Sequence, residues 1–478
     1  MADSERNAYR ATAVAGLAED AEARGPGGPL LPARGSAEGG PGDPDGPDAA
    51  SGRPAGDAGT EIEPGGERPA GTAENASAAD GAAKRGGVWR AGLRAALPAW
   101  VAAHVLVLVV QDLASHATPN APAKMPTGPA LHHLFNQLFT WDTAWYVGIA
   151  QSGYSGVASD GIRFWPLLPL VTRSLDVVGI GPETGVLVVC WVAALVFGVL
   201  MYRFALEAGA DRAAARRAVW LSQLAPGAFV LVLGYTEALA GMLAATFLIA
   251  VRQAAPRWGG SGEGGVDGDG ADGRWRVWLW HLAGFVAGYC SGLVRPTGWM
   301  LAVPGAVEAL RQWRDPKAHT AARLLTAVSP LLGVGTFLWW SDKTHGQWLL
   351  PYKTQELNGL RGTVAQNPIP SLLDSLNQTG NGAGAFTVVL VVASLGLLWV
   401  CVRRMPASYW LWTLISLASV ITAPHFSSYA RYASGFLPLL VAGAMITTDR
   451  RAWRWTLFAS AAFCAYFAYQ GFIGVYIP

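Results

Sequence analysis

The sequence predicts an all-α integral membrane protein, polytopic, with about 11 transmembrane helices and a long first extracytoplasmic loop. Hydrophobic residues make up 51% of the 478 residues, charged residues only 14%, and the mean hydropathy is +0.27. These values lie well away from those of ordinary soluble domains. Apolar stretches of about 20 residues, the length that crosses a bilayer as a helix, also recur along the chain. Composition and segment length therefore indicate the same class of protein.

The first 87 residues differ from the rest, because they are rich in Gly, Ala, Pro and Glu and nearly free of aromatic residues. Such a segment cannot bury enough apolar surface to fold, so residues 1–87 are predicted to be a disordered cytoplasmic region. The polytopic domain is expected over residues 92–478, with its first span as an uncleaved anchor, because no signal-peptide pattern precedes it. Residues 253–276 are predicted to be a Gly-rich cytoplasmic linker inside this domain.

Length and hydropathy place the membrane spans, and the positions of Lys and Arg orient them. Lys84, Arg85, Arg90 and Arg94 precede the first span, so the N-terminus is predicted to be cytoplasmic. The predicted spans are residues 95–114, 185–206, 217–234, 237–252, 277–294, 297–311, 323–341, 384–402, 408–423, 432–448 and 455–475. With these spans, basic residues fall at every cytoplasmic connection, as the positive-inside rule requires.

Two apolar segments do not correspond to a single membrane span each. Residues 164–180 contain two prolines, Arg173 and Asp176, and suit an interfacial or re-entrant segment better than a span. The first external loop then covers residues 115–184. Residues 217–252 are nearly all apolar, too long for one span and long enough for a tight hairpin, whose external tip would be "GYTEA".

Several classes of function are excluded or disfavoured. A net charge of +2, without a basic patch carrying interleaved aromatic residues, excludes nucleic-acid binding. The four cysteines lie in apolar runs without pairing or ligand spacing, so they are interpreted as small buried hydrophobes. We expect no disulfide framework, no zinc site and no cofactor.

Unexpected polar residues converge on the predicted external side. Ionisable groups at membrane borders are costly and indicate function by default. Each also has a plainer interpretation: Asp142 as a loop charge, Glu237 as a turn marker, the arginines as lipid-facing side chains, and His425 as an interfacial histidine. The residues are Asp142, Glu237, Arg295, Lys353, His425, Arg431 and Tyr432.

The order of several motifs resembles that of a known family. Asp142 lies in "WDTAWYVGIAQSGY", followed by "FWPLLPLV", "YTEALAG", "SGLVRPTG" and "ARYASGFLPLL". Over about residues 92 to 475, this pattern resembles the PIG-V family of membrane mannosyltransferases, which includes GPI mannosyltransferase 2 of GPI-anchor biosynthesis. The Ala, Gly and Arg bias resembles that of an actinobacterial relative, for which the acceptor would be another lipid-linked or cell-envelope molecule.

The resemblance implies a GT-C fold and a hexosyltransferase that takes mannose from polyprenyl-phosphate-mannose on the extracytoplasmic face of the plasma membrane. It implies Asp142 as general base, with Glu237 binding sugar hydroxyls or orienting a cation. Because a lipid phosphate leaves without needing a metal, the enzyme is predicted to be metal-independent. Donor or acceptor binding is expected from Trp141, Tyr146, Tyr235, Arg295, Lys353, His425, Arg431 and Tyr432.

Three alternatives stay open from the sequence. A GT-C enzyme for another polyprenyl-linked sugar would differ only in a few hydroxyl contacts. A membrane transporter would also carry charges near helix ends, but the chain has no detectable inverted repeat, and its polar residues lie on one side rather than at the midplane. A structural membrane subunit would leave the carboxylates at the membrane border unexplained.

Overall fold

The structure, a computed structural model, describes residues 70–117, 136–254, 271–313, 319–356, 366–377, 383–423 and 428–474. Within these ranges the chain is helical and contains no strand. The α-helices are α1 (Ala70–Ala117), α2 (Asp142–Ser152), α3 (Leu167–Asp176), α4 (Pro182–Glu207), α5 (Arg212–Leu224), α6 (Thr236–Gln253), α7 (Ala271–Val294), α8 (Ala302–Arg311), α9 (Thr320–His345), α10 (Leu350–Lys353), α11 (Pro368–Asn377), α12 (Ala383–Arg404), α13 (Ala407–Ile421), α14 (Tyr429–Ala433), α15 (Leu437–Ile446) and α16 (Arg450–Phe472).

Five helical segments of the described residues are long and apolar enough to cross a membrane. They are Gly87–Ala117, Pro182–Glu207, Trp275–Val294, Thr320–His345 and Ala385–Arg404. Each coincides with a predicted span, so the chain is an integral membrane protein, and the residues that the structure describes have an all-helical architecture. The predicted number of 11 spans is not confirmed.

Two other predicted spans are each divided into two helical pieces in the structure. The predicted span 217–234 is divided at Pro226 and Gly227 into the end of α5 and a 3-10 helix, Ala228–Leu231. The predicted span 297–311 becomes a 3-10 helix, Pro296–Leu301, followed by the ten-residue α8. Proline lacks the amide hydrogen and clashes with the preceding turn, so a continuous α-helix does not form across Pro226.

The remaining predictions on segments have mixed outcomes. Residues 164–180 contain the ten-residue α3, which is about 15 Å long and too short to cross alone, and the interfacial or re-entrant position of this segment stays a prediction. The predicted spans 408–423 and 432–448 appear as the shorter helices α13 and α15. Helix α1 begins at Ala70, before the predicted domain boundary, and α7 begins inside the predicted linker 253–276. Residues 1–69 and 255–270 lie outside the described residues.

The core is centred on α4, which packs against α1, α3, α5 and α6. Helix α6 in turn packs against α7, and α7 packs against α9. Gly227 lies directly against the backbone of Ala430 in α14, where any side chain on residue 227 would overlap the Ala430 carbonyl. This close approach, which only glycine permits, fixes α14 and its Arg431 beside the start of α6.

Candidate active site

Asp142 begins helix α2 and presents its carboxylate at a partly exposed position, with 25% of the side chain accessible. The preceding residue, Trp141, has a φ of 58°, in a region that side chains rarely occupy. Its indole Nε1 donates a hydrogen bond of 3.2 Å to the carbonyl oxygen of Gly471, near the end of α16. The strained backbone before Asp142 is thus held from the opposite end of the sequence.

Glu237 lies in the first turn of α6, and its side chain is only 3% exposed. Two arginines converge on the same oxygen of this carboxylate. Arg295 donates from Nη2 to Glu237 Oε1 at 2.5 Å, and Arg431 donates from Nε to that oxygen. The other oxygen, Oε2, is buried and has no hydrogen-bond partner in the described part of the chain.

Arg431 joins the two carboxylates. While its Nε bonds to Glu237, its Nη1 donates to Asp142 Oδ2 at 2.8 Å, and the Arg431 side chain is 7% exposed. These four residues, Asp142, Glu237, Arg295 and Arg431, are called the Asp142 cluster below. Two positive and two negative charges balance within it, which reduces the cost of burying them.

Helix ends supply a further contribution to this arrangement. Asp142 occupies the first turn of α2, and Glu237 that of α6. The amino end of a helix carries a partial positive charge and free amide hydrogens, so it favours carboxylates. Burial by itself lowers the pKa of Arg431, but the Glu237 and Asp142 carboxylates raise it well above its ordinary value. The guanidinium therefore stays charged.

Tyrosine rings form one wall of the cluster. The Arg431 guanidinium carbon lies 4.6 Å from the ring centre of Tyr235 and 5.5 Å from that of Tyr432. Arg295 lies 5.7 Å from the Tyr432 ring. The Tyr235 hydroxyl accepts a 3.4 Å hydrogen bond from the Asp142 backbone N–H. Cation–π contacts of this kind hold a guanidinium by its face and leave its edge for hydrogen bonds.

Tyr146, one helical turn after Asp142, is buried beside the same carboxylates. Burial raises the pKa of its phenol above the ordinary value, and the charges on Asp142 and Glu237 raise it further. The phenol therefore stays protonated and can act as a hydrogen-bond donor. Tyr146 was among the residues predicted to bind substrate, and its position beside Asp142 is compatible with that prediction.

The structure separates some of the predicted site residues. Asp142, Tyr146, Tyr235, Glu237, Arg295, Arg431 and Tyr432 come together around one cluster. Trp141 precedes Asp142, but its indole N–H is bonded to Gly471. Lys353 lies on the separate short helix α10 and is exposed. His425 lies outside the described residues.

The sequence does not predict the central position of Arg431. No spacing rule connects Arg431 to Glu237 and Asp142, which lie nearly 200 and nearly 300 positions earlier in the chain. Arg163 in "GIRFWP" was not among the predicted site residues. Its position directly before two aromatic residues is nevertheless typical of a guanidinium stacked on a ring. No group of three or more His, Cys, Asp or Glu that could hold a metal ion occurs in the residues that the structure describes. Metal independence stays a prediction.

Comparison with known proteins gives only distant likenesses. The sequence matches no protein-family model and no curated protein. The fold is similar to that of ArnT from Cupriavidus metallidurans bound to undecaprenyl phosphate, with a TM-score of 0.47 and 15% identity. That match covers 77% of this chain and 64% of ArnT.

Two archaeal structures give weaker matches. The oligosaccharyltransferase of Archaeoglobus fulgidus tethered to an acceptor peptide matches with a TM-score of 0.37 and 13% identity, over 78% of this chain and 55% of that one. The same organism's AglB, in complex with an inhibitory peptide and a dolichol phosphate, matches at 0.35 and 13%, over 78% and 56%. The chain thus spans less than two thirds of each of these proteins. At such TM-scores the likeness does not assign the chain to a family, and the PIG-V resemblance stays a prediction.

Proposed function

We propose that this protein is a GT-C-type membrane glycosyltransferase that moves mannose from a polyprenyl-phosphate-mannose donor to a lipid-linked or cell-envelope acceptor. One observation carries the proposal: a partly exposed carboxylate, Asp142, is held in place by a buried arginine that is itself fixed by a second, buried carboxylate. A general base needs this combination of access to the acceptor and a fixed orientation. The order of motifs around Asp142 and Glu237 supports the choice of donor.

The proposed reaction is a single displacement with inversion. The acceptor hydroxyl oxygen attacks the anomeric carbon, and Asp142 takes the hydroxyl proton as the new carbon–oxygen bond forms. The bond between the anomeric carbon and the phosphate oxygen breaks on the opposite face, and the lipid phosphate leaves with the electron pair. A positioned base contributes on the order of 10²–10⁴ in rate to such a step.

The other members of the cluster have supporting roles in this proposal. Glu237 is too buried to be the first base to meet an acceptor, and its two ion pairs favour the role of orienting cations over that of binding sugar hydroxyls. Arg431, held between two carboxylates, positions Asp142. Arg295, whose side chain is 19% exposed, is better placed to face the negative charge that develops on the leaving phosphate. Tyr432, which is partly exposed, supplies a face on which a sugar ring can stack, whereas Tyr235 is fully buried and supports Arg431 instead.

The decisive experiment uses the purified full chain in proteoliposomes with radiolabelled polyprenyl-phosphate-mannose and a lipid extract as acceptor source. We expect the label to move from the donor to a new product. Transfer from the corresponding arabinose or glucose donor, but not from the mannose donor, would keep the glycosyltransferase and change its sugar. Recovery of intact donor on the far side of the membrane, without a product, would indicate a transporter instead.

We further propose that the Asp142 cluster faces the extracytoplasmic side of the plasma membrane and that the N-terminus is cytoplasmic. Lys353 and Arg311 are both exposed, and they lie on different helices, α10 and α8. A cysteine at position 353 should react with a membrane-impermeant reagent in intact cells, and one at position 311 only after lysis. The reverse pattern would contradict the orientation.

A further inference from the structure

Arg163 lies near the Asp142 cluster, and no carboxylate balances its charge in the part of the chain that the structure describes. Arg295 and Arg431 are both paired with carboxylates. Arg163, the last residue of the 3-10 helix Ser159–Arg163, forms no ion pair and no hydrogen bond from its side chain within the described ranges. Its Nε is buried nonetheless. A buried donor of a charged group without a protein partner is costly, so contact with water or a ligand at this nitrogen is favoured.

Two aromatic rings hold the Arg163 guanidinium. Its central carbon lies 4.8 Å from the ring centre of Phe164 and 5.8 Å from that of Trp145. These two rings are themselves stacked, 5.3 Å apart and 18° from parallel. Rings near a guanidinium stabilise its charge through its face and leave the in-plane N–H groups free. Those N–H groups form the fork that matches a phosphate in a bidentate manner.

The same rings connect Arg163 with the proposed base. Phe164 meets the Tyr146 ring edge to face, with the centres 5.3 Å apart. Tyr146 lies in turn beside the Asp142 and Glu237 carboxylates, whose charges act on its phenol. Trp145 is on α2, three residues after Asp142. Along this line of contacts, the rings of Phe164 and Tyr146 lie between Arg163 and the Asp142 cluster.

Lys353 lies on the neighbouring element, because α10 packs against the 3-10 helix that ends at Arg163. The adjacent Tyr352 donates a 3.0 Å hydrogen bond to the carbonyl oxygen of Pro296, which follows Arg295. Lys353 is exposed and forms no ion pair among the described residues. The segment that carries it thus contacts both the Arg163 segment and the Arg295 segment.

The acidic side chains near these cations do not neutralise them. Asp160 lies on the same 3-10 helix as Arg163, and Glu356 lies shortly after Lys353. Neither carboxylate forms an ion pair with Arg163 or Lys353 in the described structure. Arg163 and Lys353 are thus two cations on adjoining elements without a paired carboxylate. They lie next to the Asp142 cluster, in which the positive and negative charges balance.

We propose that Arg163, with Lys353, binds the phosphate of the lipid-linked donor, and that this site, rather than Arg431, anchors the donor before transfer. The inference rests on the proposed function, since it assigns the leaving group of that reaction a binding site. Arg163 supplies a rigid, ring-supported fork for two phosphate oxygens, and Lys353 supplies a flexible point charge. The sugar would then extend from the phosphate toward Asp142.

The test measures the binding of polyprenyl phosphate, without a sugar, to the purified full chain in detergent. We compare the wild type with Arg163→Gln, Arg163→Lys and Lys353→Gln. The matched control is Arg173→Gln, an exposed arginine on α3 of the same predicted loop. Because Arg163→Gln removes charged hydrogen bonds to the phosphate, it should raise the Kd for polyprenyl phosphate about tenfold or more. Lys353→Gln should raise this Kd by a smaller factor. Arg163→Lys should recover only part of the loss, and the control should bind as the wild type does.

Further arms separate the possible sources of the phosphate. Inorganic phosphate should compete only weakly, because it lacks the lipid chain, and phosphatidylglycerol should compete less well than polyprenyl phosphate. Equal competition by phosphatidylglycerol would overturn the proposal in favour of a general headgroup contact. Unchanged Kd values in both Arg163→Gln and Lys353→Gln, with normal gel-filtration profiles, would also overturn it.

The same experiment distinguishes this inference from the proposed function. Asp142→Asn should bind polyprenyl phosphate as the wild type does, since Asp142 does not contact the phosphate in this proposal. If the wild type transfers sugar and the Arg163 variants bind and transfer normally, only the phosphate site is wrong. If the wild type neither binds polyprenyl phosphate nor transfers sugar, the proposed function itself is wrong.

Discussion

Helix α6 carries a buried ion cluster at each end, and the two clusters have opposite charge arrangements. At its first turn, Glu237 belongs to the Asp142 cluster. At its last turn, Arg252 donates to Glu308 Oε1 at 3.2 Å, and that oxygen also accepts from Ser408 at 2.6 Å and from Arg311 at 3.5 Å. We call Arg252, Glu308, Arg311 and Ser408 the Glu308 cluster. A rise of 1.5 Å per residue places the two clusters about 22 Å apart along α6.

The difference lies in which charge reaches the solvent. In the Glu308 cluster the carboxylate is 5% exposed and Arg311 is 56% exposed, so a cation faces outward. In the Asp142 cluster Arg431 is 7% exposed and Asp142 is 25% exposed, so a carboxylate faces outward. An accessible carboxylate can take a proton from a substrate, whereas an accessible arginine at a helix end suits the cytoplasmic border of a membrane protein. Under the proposed function, the Asp142 cluster takes part in the reaction and the Glu308 cluster does not.

The largest effect that this comparison predicts is on the exposed carboxylate. Asp142→Asn keeps the side-chain shape but cannot take a proton, so transfer should fall by about 10²–10⁴. Expression and the gel-filtration profile should remain as in the wild type. The measurement is initial velocity with polyprenyl-phosphate-mannose in proteoliposomes.

Arg311→Gln is the control for this prediction, because it changes an exposed charge at the other cluster and should leave the velocity unchanged. Retention of more than about a tenth of the wild-type activity in Asp142→Asn would be incompatible with a base of this strength. A group other than Asp142 would then serve as the base.

The next effect concerns the buried carboxylate of each cluster. Glu237→Gln removes a countercharge from the buried Arg431, which costs on the order of 3 kcal/mol of stability. Glu308→Gln costs less, because Arg252 and Arg311 are 25% and 56% exposed and water can solvate their charges. Both variants should therefore have a lower Tm in detergent. Only Glu237→Gln should also lower kcat, because Arg431 then loses one of the two groups that hold it against Asp142.

A comparison of Tm and kcat for the two variants is decisive for this second prediction. Equal losses of kcat per folded molecule in both would show that the Asp142 cluster has no special part in the reaction. An unchanged Tm in both would contradict the ion pairs themselves.

The sequence was sufficient to predict the long membrane-spanning helices and the two carboxylates of the candidate site, because membrane thickness and the cost of burying charge constrain both. The five long apolar helices were predictable because a bilayer fixes their length and excludes charge from them. Asp142 and Glu237 were identifiable because a carboxylate at the end of an apolar stretch is costly. The shorter helices were not predictable as such, because hydropathy does not register the break at Pro226, whereas the break at Pro296 coincides with the boundary between the predicted spans 277–294 and 297–311.

The partners within the site could not be predicted. Arg431 reaches Asp142 because α14 packs against the segment after Pro226 through the contact of Gly227 with Ala430, and that contact is tertiary. The Glu308 cluster was missed for the same reason, since Glu308 lies in the short helix α8 within a stretch interpreted as a span. A buried carboxylate in such a stretch indicates a buried cation nearby but does not identify it.

The smallest predicted effect concerns the shape of the arginines rather than their charge. Arg431 uses Nε for Glu237 and Nη1 for Asp142, so two edges of its planar group are occupied at once. A lysine keeps the charge but has a single ammonium group, which cannot reproduce that geometry. Arg431→Lys should therefore reduce kcat about tenfold, the cost of one charged hydrogen bond. Arg295→Lys should have a smaller effect, since Arg295 approaches Glu237 through Nη2 alone.

Arg252→Lys supplies the matched control at the other end of α6. Arg252 also approaches its carboxylate through one nitrogen, Nη1, and it lies in the cluster without a proposed part in transfer. Its replacement should leave kcat unchanged and alter Tm only slightly. If Arg431→Lys also keeps the wild-type kcat over the full range of donor concentration, with normal folding, then charge alone suffices at position 431. Asp142 would then owe its orientation to the strained backbone at Trp141 and its bond to Gly471, and the comparison between the two clusters would lose its main functional consequence.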